Sequence, residues 1–244
     1  SHEAATDITL LELGQAFGDE TQKRLLDELT IRDRALAGNE LFRECLTVGR
    51  FRTPQLMRIR ETSEPVVVDG TISPEEWRAA SVTMVQIDSA AVCPGDTRTY
   101  LYATYDAKSL YFAMRSELPE DALRHIDAQL LHGFVRAMVS AHDGDMSEDD
   151  TLTLELMPNQ DSGTIQVLRC NGTGTRAEWR TPGDGQTVHA WSPEWQVACR
   201  SGMDGWVAEI AIPFSSLGVN RPEPHTVWGM NATRQWRQLK TTAD

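Results

Sequence analysis

The chain has 244 residues, enough for one large domain or one domain with an appendage, and its 40% apolar and 24% charged content is that of a folded globular protein. A formal charge of −13 argues against nucleic acid and anionic membrane surfaces, which need clustered Lys and Arg. Neutral sugars and cationic partners stay open. No run of about 18 apolar residues occurs, so no segment reads as a membrane-spanning helix. Ser1-His2-Glu3 shows neither a basic stretch nor an apolar one behind it, so no signal peptide is visible, and without an initiator Met the chain reads as a processed form or a slice of a longer polypeptide.

Residues 7–47 read as helical. Asp19 with Gln22 resembles a capping box, and Leu25, Leu26, Leu29 and Leu36 make an apolar stripe. Gly38-Asn39 is a plausible helix stop before a second short helix. The segment is too small to bury a core alone, so residues 1–54 are expected to form a connector or the end of a preceding domain, and 55–244 the main domain.

From about residue 55 the pattern changes to short β segments broken by Gly, Pro, Asp and Asn. Strands are expected at 55–60, 65–68, 82–87, 99–105, 110–116, 151–157, 164–170, 195–200, 206–212 and 227–233. Leu152, Leu154 and Leu156 alternate with Thr151, Thr153 and Glu155, giving one wet face. Trp206, Ala208, Ile210 and Ile212 alternate in the same way. The 99–105 segment is apolar on both sides and should be central. Asp106–Ser109 and Ser201–Gly205 suit hairpin turns. Residues 119–141 have helical spacing through Leu123, Ile126, Leu130 and Phe134, and read as an insertion; residues 171–194 read as a long loop or ragged hairpin. The expected fold is mainly β: an antiparallel, jelly-roll-like sandwich with an N-terminal helical segment and a helical insertion.

Four cysteines, at 45, 93, 170 and 199, include no CxxC pair, which disfavours a zinc site of the usual spacing. Their even number permits disulfides without requiring them, and buried free thiols are the alternative. The six histidines show no HExxH spacing, and GxSxG, Walker and GxGxxG elements are absent. Glu155 and Glu209 are strand carboxylates of the type that could hydrolyse a glycoside as a pair, but among 36 acidic residues nothing selects them.

Four blocks carry a family resemblance. They are Pro65-Val66-Val67-Val68-Asp69-Gly70 with Trp77 and the Tyr100–Phe112 hairpin, the acidic turn Glu148-Asp149-Asp150 before Thr151–Leu156, the Gly205–Gly218 segment with Glu209 and Ile212-Pro213, and Trp228–Arg234. In this order they resemble family 9 carbohydrate-binding modules and their wider relatives, over about two-thirds of the chain. The resemblance implies a non-catalytic β-sandwich that binds oligo- or polysaccharide. It would be accessory to a polysaccharide-degrading protein, secreted, periplasmic or on the cell surface, and in contact with neighbouring domains of the same polypeptide. Such modules grip a pyranose between aromatic rings, with polar groups selecting the hydroxyls. At the family's platform Trp, strand Glu, Arg and late Gln this chain carries Ser147, Thr153, Gln166 and Thr233, and the second platform falls beyond Asp244. Either another surface binds glycan, or the module is a structural interdomain spacer; an unrecognised glycoside hydrolase is the third reading.

Of the seven tryptophans, Trp77 and Trp206 suit the core and Trp191 and Trp195 the core edge. Trp179 and Trp236 lie in polar surroundings and are the platform candidates, with Gln166, Asn231 and Arg234 as polar candidates for carbohydrate binding. The His142–Asp150 loop concentrates hard oxygen ligands, so Asp143, Asp145, Asp149 and Asp150 are candidates for structural calcium, which the resemblance also implies.

Overall fold

The computed structural model describes residues 7–12, 56–84, 86–88, 99–117, 135–159, 161–202, 205–223, 226–235 and 237, without the side chains of 7–12, 56, 84 and 86–88. Twelve strands form among them: β1 (Asp7–Glu12), β2 (Leu56–Glu61), β3 (Ser81–Met84), β4 (Gln86–Asp88), β5 (Thr99–Tyr105), β6 (Ser109–Glu117), β7 (Thr151–Met157), β8 (Ile165–Asn171), β9 (Arg176–Thr181), β10 (Gln196–Gly202), β11 (Gly205–Pro213) and β12 (Val227–Gln235). Hydrogen bonding runs β10-β11-β6-β5-β2-β1-β12-β7-β8-β9, with β3 on β5 and β4 on β12. Most pairs are antiparallel; β1 with β12, β2 with β5 and β4 with β12 are parallel.

This path folds into a sandwich. One half is β10-β11-β6-β5 and the other is β12-β7-β8-β9. Inward side chains of both halves share one core: Leu101, Ala103, Phe112 and Ile210 from the first, and Leu152, Leu154, Leu168 and Trp228 from the second. Phe214, just after β11, stacks edge-on against both Tyr105 and Trp228 at centroid distances of 6.4 and 6.2 Å. It stitches the halves together across the core.

The doubly apolar character of β5 has a physical cause. Its outer face, with those of β6 and β11, is roofed by residues 66–80: Trp77 packs with Tyr111, Ala113 and Ala211, joined by Val66, Val68, Ile72 and Tyr102. Residues 65–68, expected as a strand, therefore do not enter a ladder. They lie across the sheet, with Val66 and Val68 packed down and Val67 52% exposed. The Trp77 segment makes a single turn, with the Trp77 amide donating to the Ser73 carbonyl at 3.1 Å.

Both expected hairpins form. The β5–β6 turn is closed by Asp106, whose Oδ1 accepts the amides of Lys108 and Ser109 at 2.7 Å each. In the β10–β11 hairpin Gly202 faces Gly205. Two further expectations are corrected, and the open choice for 171–194 falls to the hairpin. Residues 7–12 are a strand held between β2 and β12 rather than helix, so ladder pairing overrides local helical spacing there. Residues 135–141 are irregular rather than helical, because their amides turn toward the Asp149-Asp150 carboxylates. Residues 176–181 form β9, supported by the Asn171–Thr175 turn in which Asn171 Oδ1 accepts the amides of Thr173 and Thr175 at 3.2 and 3.0 Å. The remainder of the helical readings, 13–47 and 119–134, lies outside the described residues.

Candidate functional site

The outer face of β9-β8-β7-β12 carries no roof like the one over β5 among the described residues, and strand register decides which side chains it presents. Val167 is opposite Trp179, Thr153 is opposite both Arg169 and Thr233, and Glu155 is opposite both Val167 and Asn231. With period-two alternation these residues share one face. Trp179, Arg169, Glu155, Asn231 and Thr233 are half-buried, and Thr153 and Val167 are buried between them.

The polar groups on this face are tied to one another. The Arg169 guanidinium lies 4.9 Å from the Trp179 ring centroid, and its Nε donates to Thr153 Oγ1 at 2.9 Å. Asn231 Nδ2 donates to Glu155 Oε2 at 2.9 Å. Burial pulls the Arg169 pKa below its ordinary value, and the carboxylates of Glu155 and Asp145 oppose that pull. His189 stands beside Trp179, with ring centroids 6.2 Å apart. The result is an aromatic ring flanked by donors and acceptors in fixed positions, which is the chemistry that holds a polyhydroxylated ring: C–H groups against the indole, hydroxyls against guanidinium, carboxylate and amide.

Of the residues expected to bind carbohydrate, Trp179 and Asn231 share this face. Gln166 and Arg234 point the other way: Gln166 is 6% exposed and its Nε2 donates to the Leu217 carbonyl at 2.9 Å, while Arg234 is 1% exposed and donates to Thr99 Oγ1 at 3.2 Å. Both belong to the interior. Trp236 lies outside the described residues. Sequence reasoning missed Arg169, although it stands two residues from Val167 on the same period-two face, and placing β9 correctly would have put it beside Trp179. Trp191 and Trp195 behave as core-edge residues, each with an arginine over its ring, Arg180 at 4.5 Å and Arg176 at 5.5 Å.

The four aspartates of the 143–150 loop do not build one oxygen cage. Asp149 is buried, and its carboxylate accepts the amides of Met138 and Val139 at 2.8 and 3.0 Å and Asn171 Nδ2 at 2.9 Å. Asp150 accepts the amides of Arg136, at 2.8 Å, and Arg237. Asp145 caps the Ser147 amide, which holds its carboxyl below the usual range. Calcium needs six to eight oxygens, and two of these carboxylates are already spent on backbone N–H groups, so the aspartates do not fit that ion. Asp143 instead joins His142 and Glu178, whose ligand atoms lie within 4.8 Å of one another. There buried Glu178 accepts Trp195 Nε1 at 3.0 Å and is 2.8 Å from His142 Nε2. This arrangement binds the 141–143 loop to β9.

Glu155 and Glu209 occupy opposite outer faces of the sandwich. Glu209 is buried under the 66–80 roof, and Glu155 is engaged by Asn231. These two cannot flank one glycosidic bond.

No family model and no curated protein matches the chain. Among solved structures it is similar to a Bacteroides uniformis protein provisionally classed as carbohydrate-binding, at 13% identity and a TM-score of 0.48, over 72% of this chain and 95% of that one. It is also similar to family 9 carbohydrate-binding modules from Caldicellulosiruptor kristjanssonii. The one in complex with glucose is 14% identical at a TM-score of 0.41 over 67% of this chain and 69% of that one. The one in complex with cellotriose is 12% identical at 0.41, over 74% and 94%.

Proposed function

We propose that this chain is a non-catalytic carbohydrate-binding module, accessory to an extracellular polysaccharide-degrading protein, and that it holds sugar on the outer face of β9-β8-β7-β12. One observation carries this reading: half-buried Trp179, opposite Val167, stands on a strand face whose other neighbours are the polar side chains of Arg169, Thr153, Glu155 and Asn231. A face built only to dock a neighbouring domain would be expected to be more apolar at its centre. The four sequence blocks that resemble family 9 modules support the same reading from an independent side.

The ring supplies apolar contact for one face of a pyranose. The guanidinium and the Glu155–Asn231 pair supply donor and acceptor positions across three strands, so orientation is selected by hydroxyl geometry. Affinity electrophoresis in gels containing xylan, glucan, mannan or pectin tests this. Retardation by at least one polysaccharide that is lost in Trp179→Ala supports the proposal. Unretarded migration in all four gels would refute it and leave the interdomain spacer.

A further inference from the structure

Cys170 and Cys199 stand far apart along the hydrogen-bonded path, on β8 near one end and on β10 at the other. The fold brings them together. Cys170 is opposite Leu152, and Cys199 is opposite Ala208, so both side chains point into the shared core from facing halves. Cys199 Sγ donates to the carbonyl of Asn171, the neighbour of Cys170, at 3.3 Å, which places it beside Cys170. Both are free in this structure, Cys170 fully buried and Cys199 half-buried.

We propose that this pair is an oxidation site: Cys170 and Cys199 close a disulfide across the open side of the sandwich by exchange with a low-molecular-weight disulfide such as oxidised glutathione. The order of attack follows from access. Half-buried Cys199 loses its proton and attacks one sulfur of the small disulfide, breaking its S–S bond and releasing one thiolate. Cys170 then loses its proton and attacks Cys199 Sγ, forming the protein disulfide and expelling the second thiolate. The two cysteines give up two protons and two electrons, and the small disulfide takes them up as two thiols. The neighbouring Cys199 thiol and burial both raise the Cys170 pKa, so Cys170 is the poorer first nucleophile and Cys199 opens the exchange.

The bond closes a loop of about 30 residues containing β9 with Trp179, Trp191 and Trp195. Cross-linking a loop of this length restrains the unfolded chain enough to raise the melting midpoint by roughly 5–15 °C. It also ties down the strand that carries the candidate platform.

The test incubates the full chain in oxidised glutathione or in reductant, alkylates it after denaturation, and maps peptides by mass spectrometry. The expected result is a Cys170–Cys199 linked peptide only in the oxidised sample, with the midpoint shift above, and no shift in Cys199→Ser. Peptide mapping of the unmutated chain decides the matter even where Cys170→Ser fails to fold. Full alkylation of both cysteines after oxidation, a stable glutathione adduct at Cys199 with Cys170 free, or linkage of either to Cys45 or Cys93 would overturn the proposal.

Discussion

Trp77 Nε1 donates to Glu209 Oε1 at 2.9 Å, across 132 residues of chain. The other carboxylate oxygen accepts three successive amides, those of Asp69, Gly70 and Thr71, at 3.0, 2.8 and 3.1 Å. Gly70 takes a φ of +83° there, a conformation that turns its N–H inward and that few other residues adopt. One buried acid thus holds the whole roof over β5, β6 and β11.

Glu209→Gln should therefore lower stability by about 2–4 kcal/mol, because one amide group cannot accept on both sides and leaves buried donors facing its NH2. Trp77→Phe, which removes only the indole donor, should cost less. Denaturant unfolding of the two variants checks the order, and a Glu209→Gln protein as stable as the parent would sink this role.

Three titrating groups give distinct pH signatures. Burial raises the Glu209 pKa against the opposing amides and indole, so its folded form holds a proton more readily than the unfolded chain, and its contribution declines as pH rises from about 4.5. Asp106 behaves oppositely: partial burial works to raise its pKa, but the amides of Lys108 and Ser109, with the Tyr111 hydroxyl, together hold it below 3.8. Its contribution is complete above that value and is lost as pH falls through the lower folded pKa. Tyr111 is pushed up to about 12 by burial and by its bond to Asp106, so its contribution is present below pH 10 and lost between 10 and about 12. Unfolding of the parent and of Asp106→Asn and Tyr111→Phe across pH should show the parent's advantage shrinking on the acid side against the first and on the alkaline side against the second.

Gly205 opens β11 with a φ of +150°, and a Cβ there would lie 2.0 Å from the Ser116 carbonyl oxygen. Gly205→Ala should cost about 2 kcal/mol or more, since neither the backbone nor the β6 carbonyl can yield cheaply. Thermal unfolding reads this directly, and a midpoint within 1–2 °C of the parent's, roughly the scatter of a neutral substitution, would contradict the close approach.

Asp149→Asn should lower stability by about 2–4 kcal/mol equally in calcium and in chelator, because the lost partners are the Met138 and Val139 amides and not an ion. A loss seen only with calcium present would restore the metal reading.

The strands that were legible in the sequence are those whose inward and outward positions differ in kind, such as Leu152, Leu154 and Leu156 against Thr151, Thr153 and Glu155. The apolar rows on both sides of β5 were equally visible, but their cause was not, since the Trp77 roof is anchored by a residue 132 positions away. β9 hid because its inward positions carry Glu178 and Arg180, a carboxylate hydrogen-bonded with Trp195 and His142 and a guanidinium laid on Trp191. Such compensation is invisible to a hydrophobic pattern. The same failure affected the site: without β9, Arg169 had no visible neighbour, and aligning blocks pointed to Gln166, which faces the core.

Isothermal titration of the parent and Trp179→Ala with xylan, glucan, mannan and pectin oligomers bears most directly on the sugar-binding face. Saturable binding of at least one oligomer by the parent is expected, weakened roughly tenfold or more by Trp179→Ala, as loss of one stacking ring implies. The thermal midpoint should hold within a few degrees, as for a half-buried surface residue. Heats of dilution alone for the parent, or equal affinity in the variant, would contradict the assignment of Trp179 and its polar neighbours as a sugar platform.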